Sequence, residues 1–233
     1  MIQDYIVGTF VREEKNRFLC TVTVEGKDEE CYIPSSCRLE NFLELAGKEV
    51  LLRKNQGKNA RTRFTVYALK IKNNYLMLRT AEANEIILCA IKNRRFAYLG
   101  KRTLIERECN IDGYKADLFL PETKTIIEIK SIITTCKIAV FPTVYSERAI
   151  KQLKKVKMLQ QDGYKFVYIF VSLNPYVKAV CISEDVRQFE YKKWFIESVH
   201  NGMMCRAYTS KFDGNRSIIR GEIPIILENK TEG

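Results

Sequence analysis

Apolar and polar residues alternate along most of this chain, and a helical period replaces the alternation in only a few places. In the first third, period-two stretches at Tyr5–Arg12, Phe18–Glu25, Glu30–Ile33, Glu49–Arg53 and Arg63–Ile71 predict short strands. Gly26-Lys27-Asp28 predicts a turn, Leu39–Leu45 a short helix and Asn55–Ala60 a basic loop. Five short strands with one helix are the content of a small barrel of OB type. The Asn73-Asn74 turn then divides the chain into a barrel over residues 1–72 and a second domain over 73–233.

The second domain opens with a strand at Tyr75–Leu78 and a helix at Glu85–Lys92, with Asn84 as its predicted N-cap. Three consecutive strands follow, Thr103–Cys109, Tyr114–Leu120 and Thr125–Ser131. Asp112-Gly113 is the hairpin turn between the first two, and Pro121–Lys124 a polar turn before the third. Lys137–Phe141 predicts a further strand, ended by Pro142. Ser146 and Glu147 open a helix over Glu147–Gln161, closed by Gly163, whose stripe is Ala149, Leu153 and Val156. Lys165–Leu173 is almost continuously apolar, as expected of a strand buried on both faces, and the intervening helix implies parallel pairing through a right-handed crossover. A helix near Val186–His200, closed by Asn201-Gly202, and strands at Met203–Ser210 and Ser217–Ile223 complete an α/β sandwich with a mixed sheet.

The chemistry concentrates in the three-strand stretch. Glu128 and Lys130 are two apart on one strand and so share a face, with Ile127 and Ile129 on the other. Pairing of neighbouring strands brings Asp117 beside them. Two carboxylates and an ammonium are what Mg²⁺-dependent (or Mn²⁺-dependent) phosphodiester cleavage uses. The carboxylates hold the ion at roughly 2.1 Å, the ion activates water, and the lysine orients that water or steadies the transition state. Spacing alone, D-x10-E-x-K, is equally met by a solvated Glu and Lys on a half-exposed strand.

Charge sharpens this picture. From Arg53 to Arg102 there are 13 Lys or Arg against two acids, Glu82 and Glu85, so this segment carries the whole net charge of +11. Such a concentration beside a metal site suits an anionic polymer, DNA or RNA. Candidate contacts on the barrel are Lys54, Lys58, Arg61 and Arg63, with Arg94 and Arg95 beyond it. Phe64 and Tyr67 are either stacking residues or core. Three apart on a strand, they face opposite ways, so at most one reaches a binding face. The eight cysteines are scattered without a C-x2-C pair and there is one histidine, His200, which argues against zinc. No signal peptide and no membrane-length apolar run is visible, and scattered thiols fit a reducing cytoplasm.

Several blocks in order resemble the sugar fermentation stimulation protein family, a branch of the PD-(D/E)xK nuclease superfamily, over nearly the whole chain. They are Arg17-Phe18-Leu19, Pro34-Ser35-Ser36, Thr80 and Asn84, Arg107-Glu108, Asp117–Leu120, Glu128-Ile129-Lys130, Phe141-Pro142 with Ser146-Glu147-Arg148, Phe170-Val171 and Pro175. The resemblance implies an OB-like N-terminal domain, a nuclease-fold C-terminal domain, and DNA binding or cleavage of DNA or RNA. It implies that Asp117 and Glu128 bind Mg²⁺ and that Lys130 assists the attacking water. Glu147 is either a further acid near the metal or a charge at the helix's positive end. Arg148 would contact phosphate, and Glu108 is a weaker candidate. The chain departs from the family at Ala149 and Gln152, where Gly and His are usual, and at Ser35–Arg38. The expected function is a Mg²⁺-dependent nuclease. The alternatives are a nucleic-acid-binding regulator with an idle nuclease fold, or a protein-interaction module with a basic face.

Overall fold

The computed structural model describes residues 5–34, 38–41, 43–57 and 60–227. Lys58 and the Ser35–Cys37 stretch lie outside them. Strands β1 (Tyr5–Glu13), β2 (Leu19–Val24), β3 (Lys27–Tyr32), β4 (Glu49–Lys54), β5 (Phe64–Ile71) and β6 (Asn74–Met77) form the first sheet. Its pairings return on themselves: β1 pairs with β2 and β4, β2 with β3, β4 with β5, and β3 with β5 in parallel. That five-strand ring is the OB arrangement, and its interior is filled by Phe10, Cys20, Val22, Cys31, Ile33, Leu52, Phe64 and Val66. The β2–β3 turn sits at Glu25-Gly26, both with positive φ, one residue earlier than the sequence suggests. The expected helix at Leu39–Leu45 is a single 3₁₀ turn, Leu39–Asn41. β6 pairs with β5 around a tight turn at Lys72-Asn73, so the first sheet continues to Met77 and that turn does not end it.

Beyond it come α1 (Glu82–Lys92), β7 (Glu106–Arg107), β8 (Asn110–Ile111), β9 (Tyr114–Lys115), β10 (Leu118–Leu120) and β11 (Thr125–Ile132). β12 (Ile138–Phe141), α2 (Glu147–Gln161), β13 (Lys165–Ser172) and β14 (Ala179–Ile182) follow. α3 (Phe189–His200), β15 (Met204–Phe212), β16 (Ser217–Ile223) and β17 (Ile225–Ile226) complete the order. The main sheet is mixed, in the order β16-β15-β13-β11-β10-β7. β11, β13 and β15 are parallel, and α2 and α3 are the crossovers between them. β12 leaves this sheet and pairs in parallel with β14, which pairs with β17, in a small sheet of three.

The sheet is covered on both faces. Ile127, Ile129, Val167, Ile169 and Val171 pack with α1 and the barrel interior in one continuous cluster. Ile126, Ile132, Phe166, Tyr168 and Phe170 pack with α2 and α3 in another. β13 is therefore buried along all but its first residue, as its apolar run requires. α2 starts at Ser146, whose Oγ accepts the Ala149 amide at 3.2 Å, and buries Ile150, Leu153, Val156 and Leu159. α1 begins three residues before the expected start. Asn84 lies inside it, and the N-cap is Ala81 with no side-chain cap. Among the described residues no helix is long and apolar enough to cross a membrane.

Candidate active site at a parting of two strands

The site arises where the β10–β11 ladder stops. Asp112 and Gly113 both have positive φ (47° and 77°), which a two-residue primed turn demands, and they close the β8–β9 hairpin. The chain then breaks at Ala116-Asp117 before β10 resumes against β11, with Leu118 opposite Ile127. Continued by one residue, that register would set Asp117 opposite Glu128. Instead the strands part, and the Asp117 carboxylate takes over a backbone role. Its Oδ2 accepts the Ile129 amide at 2.7 Å, and its Oδ1 accepts Asn84 Nδ2 at 3.3 Å. The residue read as a helix cap thus holds one carboxylate in place from α1.

Glu128 points to the opposite side of β11 from Ile127 and Ile129, as the alternation predicts. That face is not open, however. Ile126 and Ile132 share it in the α2/α3 core, and Glu128 is only 4% exposed. Its Oε2 accepts the Tyr114 hydroxyl at 2.9 Å and its Oε1 pairs with Lys130 Nζ at 2.5 Å. Burial pushes the Glu128 carboxyl above its ordinary value of 4.5, the Lys130 ammonium opposes that rise, and the Asp117 charge adds to it. Lys130 Nζ also stands 5.8 Å above the Tyr168 ring, whose hydroxyl meets that of Tyr191 at 2.9 Å. Tyr114 and this tyrosine pair form a floor that sequence reading missed. Position Tyr114, directly after a hairpin turn and opposite Ile111, carried no signal that it would reach a carboxylate fourteen residues on.

A cleft of about 460 Å³ opens over the site, lined by Asp117, Glu128, Lys130, Glu108, Lys115 and the start of α2. Arg148, Ala149 and Gln152 all face it, so the two positions that depart from the family pattern border this cleft. Glu147 does not. It is 68% exposed and pairs with Lys151 Nζ at 2.7 Å one turn along, an ion pair that lowers its carboxyl below the usual range. It stands in the first turn of α2, from which Ser146, Arg148 and Ala149 line the cleft instead. Glu108 lines the cleft and pairs loosely with Lys115 at 3.9 Å.

The basic candidates divide. Among those that are described, Arg148 alone reaches the cleft over the carboxylates. Lys54, Arg61 and Arg63 are exposed on the barrel, where Arg63 pairs with Glu29 at 3.6 Å. Arg94 lines a separate cleft at the far end of α1, and Arg95 donates to the Ile219 carbonyl. Phe64 and Tyr67 are both buried, because β5 is paired on both edges and packed on both faces; the Tyr67 hydroxyl donates to Glu82. The barrel instead presents Tyr32, 39% exposed, stacked on Phe18 at 6.3 Å beside Arg61, with Arg17 over Phe18. The alternation of β3 contains that signal, since Cys31 and Ile33 point inward and Tyr32 must point out.

Among the described residues no three His, Cys, Asp or Glu side chains converge, and Asp117 and Glu128 line the cleft as a pair of carboxylates. The donor set of that pair would suit a hard cation: carboxylate oxygens lining the cleft, that of Glu128 deep in it, each with one hydrogen-bond partner and a second lone pair to give.

Comparison with known proteins places these features in a wider set. A family model described as "Sugar fermentation stimulation protein RE domain" matches residues 81–216, and one described as "SfsA N-terminal OB domain" matches residues 13–78. A sugar fermentation stimulation protein homolog of Methanobrevibacter smithii is 28% identical over 185 residues, covering 74% of this chain and 77% of that protein. A homolog of Natranaerobius thermophilus is 24% identical over 241 residues, covering 99% and 98%. The structure of Pyrococcus furiosus SfsA in complex with Ca²⁺ has the same fold, with a TM-score of 0.81 at 19% identity over 96% of each chain.

Proposed function

The chain belongs to the sugar fermentation stimulation protein family, and from that footing we propose that it is a divalent-metal-dependent nuclease hydrolysing phosphodiester bonds of DNA or RNA. The observation that carries this reading is the meeting of Asp117, Glu128 and Lys130 at one cleft where β10 and β11 part, with Arg148 and Lys115 on its walls. Mg²⁺ or Mn²⁺ held by Asp117 and Glu128 would supply an activated water and neutralise charge on the phosphorus. That a like-folded chain from Pyrococcus furiosus was solved with Ca²⁺, an ion of similar ligand taste, supports an oxygen-ligated cation.

The chain's own groups have separate tasks. Asn84 and the Ile129 amide fix the Asp117 carboxylate, so ion binding needs little reordering there. Tyr114 fixes Glu128 from below. Lys130 is anchored on Glu128 and reaches the cleft, where its ammonium can orient water or meet charge developing on a phosphate oxygen. Arg148, free of ion pairs among the described residues, offers a phosphate two donors. Because a raised carboxyl must lose its proton to bind metal, Mn²⁺ affinity measured calorimetrically should rise with pH above 4.5 and level off once Glu128 is ionised.

The test is incubation of labelled single- and double-stranded DNA and RNA with the protein in Mg²⁺ or Mn²⁺, in EDTA, and with Asp117→Ala or Glu128→Ala. Cutting that disappears in all three controls supports the reading. Salt-sensitive binding without cutting by the unaltered protein would leave an idle nuclease fold that regulates by binding.

A further inference from the structure

A second cleft, of about 740 Å³, lies at the opposite end of α1 from Asn84. It is framed by the helix's C-terminal turn (Ile91, Lys92, Arg94) and by the segment Gly100–Ile105. Its lining contains four cations and no acid. Glu122 stands nearby but is engaged: it accepts the Thr103 amide at 2.6 Å and hydroxyl at 2.5 Å, and pairs with Lys101 at 3.3 Å. The carboxylate thus pins the segment and neutralises one cation. Lys92, Arg94 and Arg102 have no ion-pair partner among the described residues, whereas Lys101 pairs with Glu122. Arg102 moreover has a buried Nε that meets no acceptor, although its terminal nitrogen donates to the Gly100 carbonyl.

The same cleft has an apolar wall. Leu104 is 53% exposed, and Ile91 and Ile105 line the cleft with it. A free phosphate would need the cations but not that wall, and an apolar ligand the wall but not the cations. A nucleotide uses both, its base against Leu104 and its phosphates on Arg94, Arg102 and Lys92. In a duplex the base faces are stacked away, so only an unpaired nucleotide can use the leucine.

The position along the chain relates this cleft to the carboxylates. From Thr103 the backbone runs through β7 to Glu108, which lines the reactive cleft and donates its amide to the Asp117 carbonyl. Five residues span at most about 18 Å, or about five stacked nucleotides at 3.4 Å each.

We propose that the cleft between the end of α1 and the Gly100–Ile105 segment seats an unpaired nucleotide of the strand being cut, making single-stranded nucleic acid the preferred substrate. This rests on the nuclease reading for its partner class, but its test is a binding measurement in EDTA that needs no catalysis. The probes are a fluorescent single-stranded DNA oligonucleotide long enough to span both clefts and its duplex. The unaltered protein should bind the single strand more tightly. Leu104→Asn, which removes the apolar contact without adding charge, should weaken single-strand binding by about tenfold while leaving duplex binding nearly unchanged. The combined Lys92→Gln, Arg94→Gln and Arg102→Gln variant should reduce the salt slope on the single strand by about 0.7 per lost contact. All four positions lie at the surface or half-buried, and unchanged melting temperatures would show that the variants fold. Equal binding of the single strand by the unaltered protein and Leu104→Asn, or tighter binding of duplex by the unaltered protein, overturns the inference and leaves the nuclease reading standing. No binding of either probe overturns the inference, and the cutting assay with metal decides the nuclease reading separately.

Discussion

The Glu128–Lys130 pair makes a quantitative prediction that does not depend on catalysis. Lys130→Met keeps the length and apolar stem of the side chain but removes the ammonium 2.5 Å from Glu128 Oε1. The carboxylate left behind has a side chain only 5% exposed and a single remaining donor, the Tyr114 hydroxyl. Removing one partner of a buried pair costs about 3–5 kcal/mol, and the lower figure applies because Lys130 is itself 22% exposed and water can partly replace it. At about 2–4 °C per kcal/mol for a chain of this size, the melting temperature should fall by about 6–12 °C. The pH dependence has a definite sign. Glu128 has a folded value raised above 4.5, so its contribution to stability is greatest at low pH and declines as the pH rises through the folded value. Losing Lys130 raises that folded value further. The deficit of the variant should therefore grow as the pH rises above 4.5 and vanish as the pH is lowered below it, where Glu128 becomes protonated in the folded and the unfolded chain alike. Thermal denaturation in EDTA across that range is the assay. The double variant Glu128→Gln, Lys130→Met, which buries no charge, should recover most of the loss. A deficit below about 1 kcal/mol, or one that does not change with pH, would refute the claim that a desolvated carboxylate is held ionised by this one amine.

Other outcomes follow from single features. Ser146→Ala removes the hydroxyl that accepts the Ala149 amide and should cost about 1 kcal/mol by denaturant titration, with Ser146→Asp restoring it. Gly113→Ala forces a Cβ into a turn at φ 77° and to 2.5 Å from Lys155 Nζ; the lysine can move, so the loss, read as melting temperature, should be only the backbone term of about 1–2 kcal/mol. Phe170→Ala empties a fully buried site between Phe141, Tyr168 and Phe195 and should cost about 3–5 kcal/mol, seen as a lowered denaturation midpoint.

The sequence was most legible where one local rule decides the outcome. α2 and its cap follow from Ser146 and a helical stripe, β13 from an unbroken apolar run, and the hairpin before Asp117 from Asp112-Gly113. It was least legible where distant segments compete. β14 was not anticipated, because Ala179–Ile182 is too short to signal a strand and gains its ladder only from β12 and β17. Asn84 carries the composition of a cap, yet the helix starts earlier and spends the side chain on Asp117. Phe64 and Tyr67 lie on a strand whose doubled burial depends on the β3–β5 closure, which no local pattern encodes. Within the reactive cleft, the acid–acid–lysine trio is visible from spacing and resemblance. Tyr114 and the parting of the strands exist only in three dimensions.

The apolar cluster that joins the barrel interior, α1 and one face of the mixed sheet has a consequence for dissection of the protein. Neither half can be lifted out intact: severing the chain after β6 would leave each fragment with a greasy wall that its counterpart normally shields, and would also strip the Leu173 carbonyl of the Met77 amide. The two halves should melt in one step rather than two, and grafting this barrel onto another domain would need a fresh lining where α1 now sits.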